Sequence, residues 1–370
     1  MKYIVFGIII FCTFTPLQAQ IIEGVVYDAK TREAIPDVAV YLDGTTFITI
    51  TDKEGKFQLE VQQRINANLI FSHLLYETLT IENPFEYREK VFFLDEKINT
   101  LASAIVISET GSFTRAQLMR VFKAQFLGEN VAGKSCVILN EEDIVLRYQE
   151  KTATLLAYSR SPLIIENKHL AYKIIYDLQS FSIQYENNRQ AIDYMSPKTV
   201  ILFKGTSIFE DLSPPYNFTN TTRRDEIYVR SRQFFWKSFV SHTLKEENFK
   251  IYVRYRQIDE EDYFTITDEW PLKKVQIISG TNMRTYHDDL RAEVAVYGMI
   301  DVLCNNKFNS SVIFLSDHFF IDAFGNPDTI EHFLYLDDFG KQRLGDMLPL
   351  NYEHNPLPPN STPPTSRRRR

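Results

Sequence analysis

The chain has 370 residues, including 13 Gly, 15 Pro and 3 Cys, and its 44% hydrophobic and 24% charged fractions suit a globular protein rather than a disordered one. So few glycines argue against glycine-loop nucleotide sites, collagen-like repeats and flexible linkers, and a net charge of −7 gives no reason to expect nucleic acid. At roughly 100–200 residues per domain, two or three domains are expected.

The first element is an address. Lys2 precedes an apolar run over residues 3–12, then Pro16 and Ala19. A positive start, a short apolar stretch and a small residue near its end predict a secretory signal over 1–20, cleaved after Ala19 or Gln20. The run is too short to span a bilayer core of about 30 Å. Bulky Phe11 argues against lipidation of Cys12. Past the signal, Cys136 and Cys304 remain among apolar neighbours and read as two buried thiols. Their pairing is open, and no CxxC supports a zinc ribbon or a redox motif.

Residues 21–97 alternate as strands should. Short apolar runs at 22–27, 38–42, 47–51, 57–61, 69–71, 79–81 and 91–94 are separated by turn signals such as Asp43-Gly44 and Asp52-Lys53-Glu54-Gly55. That rhythm predicts an antiparallel sandwich. Three stretches carry a resemblance: Gly24-Val25-Val26-Tyr27-Asp28, Ile35-Pro36-Asp37-Val38 and Thr51-Asp52-Lys53-Glu54-Gly55-Lys56-Phe57. With Phe71 to Glu77 after them, they resemble the carboxypeptidase-regulatory-like domain, a transthyretin-like β-sandwich found in exported bacterial proteins. The resemblance implies an accessory module without catalytic residues. Leu74-Leu75 departs from it, where the family often places Gly before the Tyr. The loop acids Asp43, Asp52 and Glu54 admit a calcium reading, against a plain hairpin turn in which Asp52 caps and Gly55 takes positive φ.

Residues 98–111 read as an extended connector. In TonB-dependent receptors a similar sandwich and stretch precede a plug and a barrel. A 22-stranded barrel would alone use roughly 220 residues, so a full receptor does not fit. Residues 112–127 predict a helix capped by Ser112 or Thr114 and stopped by Gly128. Strands are expected around 144–148 and 172–185. A second helix is expected over 223–245, with Thr222 and Asp225 as a capping box. Its Phe234-Phe235-Trp236 run reads as core or, less simply, as a ligand platform. A final β region holds 291–297, 312–315, 319–322 and 332–336, with a turn at Phe324-Gly325-Asn326-Pro327-Asp328. The arrangement over 1–353 also resembles a group of bacterial envelope proteins that join this sandwich to an α+β domain. That domain ends near a Gly-Asp-x-Leu-Pro-Leu stretch, here Gly345 to Leu350. The resemblance implies an address and a module rather than an activity.

None of His73, His169, His242, His287, His318, His332 and His354 has Glu three residues later, as a zinc carboxypeptidase requires. His242 with Glu246 has no identifiable third ligand. HExxH, Gly-x-Ser-x-Gly and Ser-x-x-Lys are missing from the sequence. The acid runs at 141–143, 259–262, 288–289 and 337–338 read as solvated turns, and Asp317-His318 as half of a base pair without a nucleophile. Beyond 354 a Pro-rich stretch ends in Arg367 to Arg370 and reads as an extended, solvated tail, with contact to anionic lipid headgroups or lipopolysaccharide phosphates as the alternative.

The expectation is a mainly β protein: a seven-stranded antiparallel sandwich at 21–97, then a strand-dominated α+β domain at 112–353, flanked by a signal and a tail from 354. No catalytic, cofactor or metal residue is assigned. The expected role is an exported, non-enzymatic envelope protein in the periplasm or at the outer membrane. It would bind an envelope protein or a glycan and no nucleic acid. The alternative is a periplasmic hydrolase acting on peptide or glycan.

Overall fold

A computed structural model describes residues 20–97, 113–185, 200–214, 217–278, 284–287 and 293–354. The expected signal before Gln20, the connector and the tail beyond His354 lie outside the described residues.

The first seven strands are β1 (Gln20–Asp28), β2 (Ala39–Leu42), β3 (Ile48–Ile50), β4 (Lys56–Val61), β5 (Leu69–His73), β6 (Tyr76–Ile81) and β7 (Val91–Leu94). They form a sandwich of two sheets, β4-β1-β7 and β3-β2-β5-β6. In β4, Phe57, Leu59 and Val61 are buried while Lys56, Gln58 and Glu60 face water, the period of two that a half-buried strand requires. Ladders between named strands are antiparallel except one: β7 runs parallel to β1, with Val25 opposite Val91. At the turn before β4, Asp52 Oδ1 accepts the N–H groups of Glu54 (3.0 Å) and Lys56 (2.8 Å), and Gly55 has φ +73°.

The second body opens with α1 (Arg115–Phe126), capped by Thr114, and α2 (Val131–Ser135). Strands β8 (Cys136–Ile138), β9 (Ile144–Gln149), β10 (Thr154–Ser159), β11 (Leu163–Asn167), β12 (Tyr172–Gln184) and β13 (Val200–Asp211) follow. They make a sheet ordered β8-β11-β12-β10-β9, with β13 also paired to β12. Two helices come next, α3 (Phe218–Tyr228) and α4 (Arg232–Val240). The single helix expected over 223–245 is therefore two. Its break is local chemistry: the Ser231 hydroxyl accepts the Phe234 N–H and starts a new helix. Thr222 is no cap, since it lies inside α3 and donates to the Phe218 carbonyl; Asn217 caps α3 instead.

The last strands are β14 (Phe249–Val253), β15 (Arg256–Ile258), β16 (Phe264–Glu269), β17 (Leu272–Ile277), β18 (Arg284–His287), β19 (Glu293–Val296), β20 (Gly298–Cys304), β21 (Phe308–Phe314), β22 (His318–Ile321) and β23 (Phe333–Leu336), with the short helix α5 (Asp337–Gly340) after them. They form sheets β15-β14-β20-β21-β23, β16-β17-β22 and β18-β19. The turn at 324–328 lies between β22 and β23, which belong to different sheets. Phe234, Phe235 and Trp236 are core rather than platform: all three are buried, and the Trp236 indole donates to the Tyr335 hydroxyl at 2.9 Å.

The two bodies share a tight seam. Tyr41 and Ile70, on the outer face of the β2–β5 sheet, pack on Ile208 of β13. Gly44 N–H donates to the Ser207 carbonyl (2.7 Å), Phe209 N–H to the Thr45 carbonyl (2.9 Å) and Leu350 N–H to the Gly44 carbonyl (2.7 Å). Phe324 enters the sandwich core and Leu350 packs beside it.

Asp43 accepts the Ser207 N–H at 2.7 Å in this seam, and burial pushes its carboxyl up to about 6. A folded value above the unfolded one makes ionisation a penalty that appears as pH rises through about 4 to 6 and vanishes below that window. Asp43→Asn keeps the acceptor and removes the charge. It should raise stability by about 1–2 kcal/mol at pH 7.5 and change it little at pH 4. Urea unfolding at both pH values checks this; equal effects at the two would refute the assignment.

Candidate binding cleft

A cleft opens to solvent where β1 meets the loop before β7. Gly24 sets the geometry: a Cβ there would lie 2.7 Å from both the Lys90 carbonyl oxygen and the Phe92 ring, so only glycine lets the strands close. Phe92 forms the floor, packed on Phe71 with ring centroids 4.5 Å apart. Tyr87 stacks outward on Phe92 at 5.8 Å and 23°, which fixes its ring by contact with the core. Across from it, the tip of the β16–β17 hairpin brings Trp270, which is 80% exposed. Arg64 lies between, its guanidinium 5.3 Å from the rings of both Phe85 and Trp270 and paired with Glu86 at 2.8 Å.

These residues enclose a cleft of about 440 Å³ whose wall also includes Ile21, Ile22 and Pro84. That volume is within the ~300–1,000 Å³ typical of small-ligand sites. Its rim is polar: Glu23 pairs with Lys90 at 2.5 Å, and the Tyr87 hydroxyl donates to Glu89 at 3.2 Å. The arrangement offers two flat aromatic faces, one held by stacking on Phe92 and one exposed beside Arg64, with hydrogen-bonding groups around them. A smaller depression of about 180 Å³ lies at β14 and β15, crossed by the Lys245–Asp259 ion pair of 2.8 Å.

The acids and histidines considered in the sequence fall elsewhere. Asp43 faces the seam while Asp52 is spent on its own turn, so the loop acids do not converge. The His242 ring meets Glu260 at 3.4 Å, not Glu246. His318 pairs with Asp317 at 2.7 Å on the surface, and this hydrogen bond holds the Asp317 carboxyl below its usual range. Glu141 pairs with Lys123, while Asp143 accepts from Asn140 and Ser161. Asp338 pairs with Lys341 at 3.5 Å, and Asp288 and Asp289 lie outside the described residues. Cys136 and Cys304 are free thiols, pushed up by burial to about 12 and about 11. Among the described residues, no group of three or more His, Cys, Asp or Glu is placed to hold a metal ion. None of them forms a helix long and apolar enough to cross a membrane.

Residues 22–106 match the CarboxypepD_reg-like domain. The comparison with curated proteins finds no match to the chain. Apart from Gln20, Ile21 and Trp270, the residues that line the cleft lie within the matched stretch, and Trp270 comes from the second body. Sequence reasoning missed the site. Its one available signal was an apolar Trp270-Pro271 pair at a turn between two alternating runs, where a large exposed ring has no structural use.

Proposed function

We propose that this protein is an exported, non-enzymatic component of the cell envelope that binds a glycan in the cleft between Tyr87 and Trp270. The observation that carries the reading is the pair of exposed aromatic faces, Tyr87 and Trp270, rimmed by Glu23, Glu89 and Lys90. Such rings suit the apolar faces of sugars, while carboxylates and an ammonium suit their hydroxyls. The signal-like start of the chain and the accessory character of a CarboxypepD_reg-like domain favour the envelope. The hydrolase alternative has less support, because Glu23 and Glu89 are engaged by Lys90 and Tyr87 rather than free for proton transfer.

The test is a screen of neutral oligosaccharides and soluble peptidoglycan fragments, followed by calorimetric titration of those that bind. Trp270→Ala is expected to weaken binding about tenfold, the equivalent of about 1.4 kcal/mol. Its melting temperature should stay unchanged, since the side chain is largely exposed. Absence of binding to every probe, or equal affinity in the variant, would sink the reading. Capture of an envelope protein through the same residues would replace the glycan by a protein partner.

A further inference from the structure

Two walls of the cleft are anchored to one element outside it. On the sandwich side, Arg64 and Leu69 line the cleft from the two ends of a short segment. Ile65, next to Arg64, is 2% exposed and packs in the same core as Phe324. Asn66, half-buried, reaches the second body twice. Its backbone N–H donates to Asp322 Oδ2 at 2.9 Å, and its side-chain Nδ2 donates to the Pro327 carbonyl at 3.1 Å.

The facing wall is Trp270, at the tip beyond Glu269 and Leu272, which are partners in the β16–β17 ladder. Three residues after Trp270, Lys273 pairs with Ile321 of β22, and Asp322 follows Ile321 directly. The 322–328 turn closes on itself. Asp322 N–H donates to the Asn326 carbonyl at 3.0 Å, Asp328 N–H donates to the Phe320 carbonyl at 2.8 Å, and Ile321 bridges to Pro327. One turn therefore continues the strand that holds the Trp270 hairpin and also grips the residue two places after Arg64. The walls meet where the Arg64 guanidinium lies 5.3 Å from the Trp270 ring centroid. With 80% of Trp270 exposed, the place of its ring follows from the backbone that carries it and from this contact.

We infer that Asn66 is a positioning residue of the cleft, fixing the Arg64 wall against the Trp270 wall through the 322–328 turn. Two donors from one residue set orientation as well as distance. A ligand that stacks on Tyr87 and Trp270 together needs both faces at one separation, and slack between the walls costs ordering free energy on binding. The inference rests on the glycan reading for its ligand, while the geometry it assigns belongs to the unliganded protein.

The experiment uses the full chain labelled with 5-fluorotryptophan. Of its two tryptophans, Trp236 is fully buried and Trp270 exposed, so fluorine NMR should give two separate signals, assigned by the one lost in Trp270→Ala. Asn66→Ala removes the bond to Pro327 and keeps the backbone bond to Asp322. Tyr41→Phe is the control: it removes a different bond between the two bodies, the one joining the Tyr41 and Thr206 hydroxyls at 3.1 Å. Without ligand, Asn66→Ala should displace the Trp270 signal and leave that of Trp236 in place, while Tyr41→Phe displaces neither. Asn66→Ser, which keeps a polar group of shorter reach, guards against misfolding of the alanine variant and should move the same signal. Affinity for the neutral oligosaccharide that the screen selects should fall about fivefold in Asn66→Ala and stay unchanged in Tyr41→Phe. A Trp270 signal unmoved in both Asn66 variants, an equal displacement in Tyr41→Phe, or an unchanged affinity in Asn66→Ala overturns the inference. If no oligosaccharide binds the wild type, the glycan reading falls alone, and the fluorine signals still decide the role of Asn66.

Discussion

Arg224→Met is expected to lower stability by about 3–5 kcal/mol, the usual result of removing one partner from a buried charged network. Arg224 is 6% exposed. Its Nε donates to the Leu170 carbonyl at 2.8 Å, and its Nη2 to the Ala171 carbonyl at 3.0 Å and the Ser213 hydroxyl at 2.9 Å. Both Nη atoms grip Asp211, at 2.8 and 2.7 Å, and the guanidinium lies 3.8 Å from the Tyr172 ring centroid. One side chain thus pins α3 to the β11–β12 connection and to the end of β13. Ala171 sits there with φ +53°, a backbone state that costs energy unless its surroundings hold it. Methionine would fill the volume and leave the Leu170 carbonyl without its donor, while the Ala171 carbonyl would keep the Leu212 N–H. Arg224→Lys should cost less, because the charge stays while the fork is lost. Equilibrium denaturation measures both. A loss below about 1 kcal/mol in the methionine variant would show that water replaces the network.

The second large effect is expected at the seam. Asp322 is 3% exposed and accepts four N–H groups. Oδ1 takes the backbone N–H of Phe324 (2.9 Å) and Asn326 (2.8 Å), while Oδ2 takes the Asn66 N–H (2.9 Å) and the Asn326 side chain (3.0 Å). This carboxylate shapes the turn that inserts Phe324 into the sandwich and at the same time ties that turn to the sandwich backbone. Alanine would strand these donors, each at about 1–3 kcal/mol when buried. Asp322→Ala should therefore lose about 4 kcal/mol or more, roughly 8–16 °C in melting temperature. Faster hydrogen exchange in the sandwich should accompany the loss as Phe324 loosens. Asp322→Asn should lie between, since the amide keeps one acceptor oxygen. A melting temperature within about 2 °C of wild type for the alanine variant would refute this account.

The contrast between what the sequence revealed and what it hid follows from range. Phe57, Leu59 and Val61 announce β4 because burial alternates along one strand, and the Asp52-to-Gly55 turn is written in adjacent residues. The α3–α4 break was hidden because Tyr228, Phe235 and Phe239 continue a helical spacing across it, while Ser231 decides the matter through one hydrogen bond. The parallel β1–β7 pair and the docking of Phe324 are invisible for another reason. They join segments whose patterns say only that one face is buried, not against what. The cleft is of this kind: Trp270 and Tyr87 meet through two separate bodies, and no local pattern in either predicts the other.

The contact of Leu350 with Gly44 sets an order in time. Thr46 and Asn351 exchange hydrogen bonds across 305 positions of chain, and the sandwich core is completed only by Phe324 with Leu350 against it. A polypeptide emerges from its N-terminus, so the first module must wait, with part of its apolar surface uncovered, until Phe324 and Leu350 have been delivered. Loop closure over such a distance is slow compared with hairpin formation. The newborn sandwich is therefore a provisional object, vulnerable to proteases and to wrong partners until the last strands arrive. A chain cut short before Leu350 would never leave that condition, which makes a durable first domain depend on residues as far as 305 positions downstream.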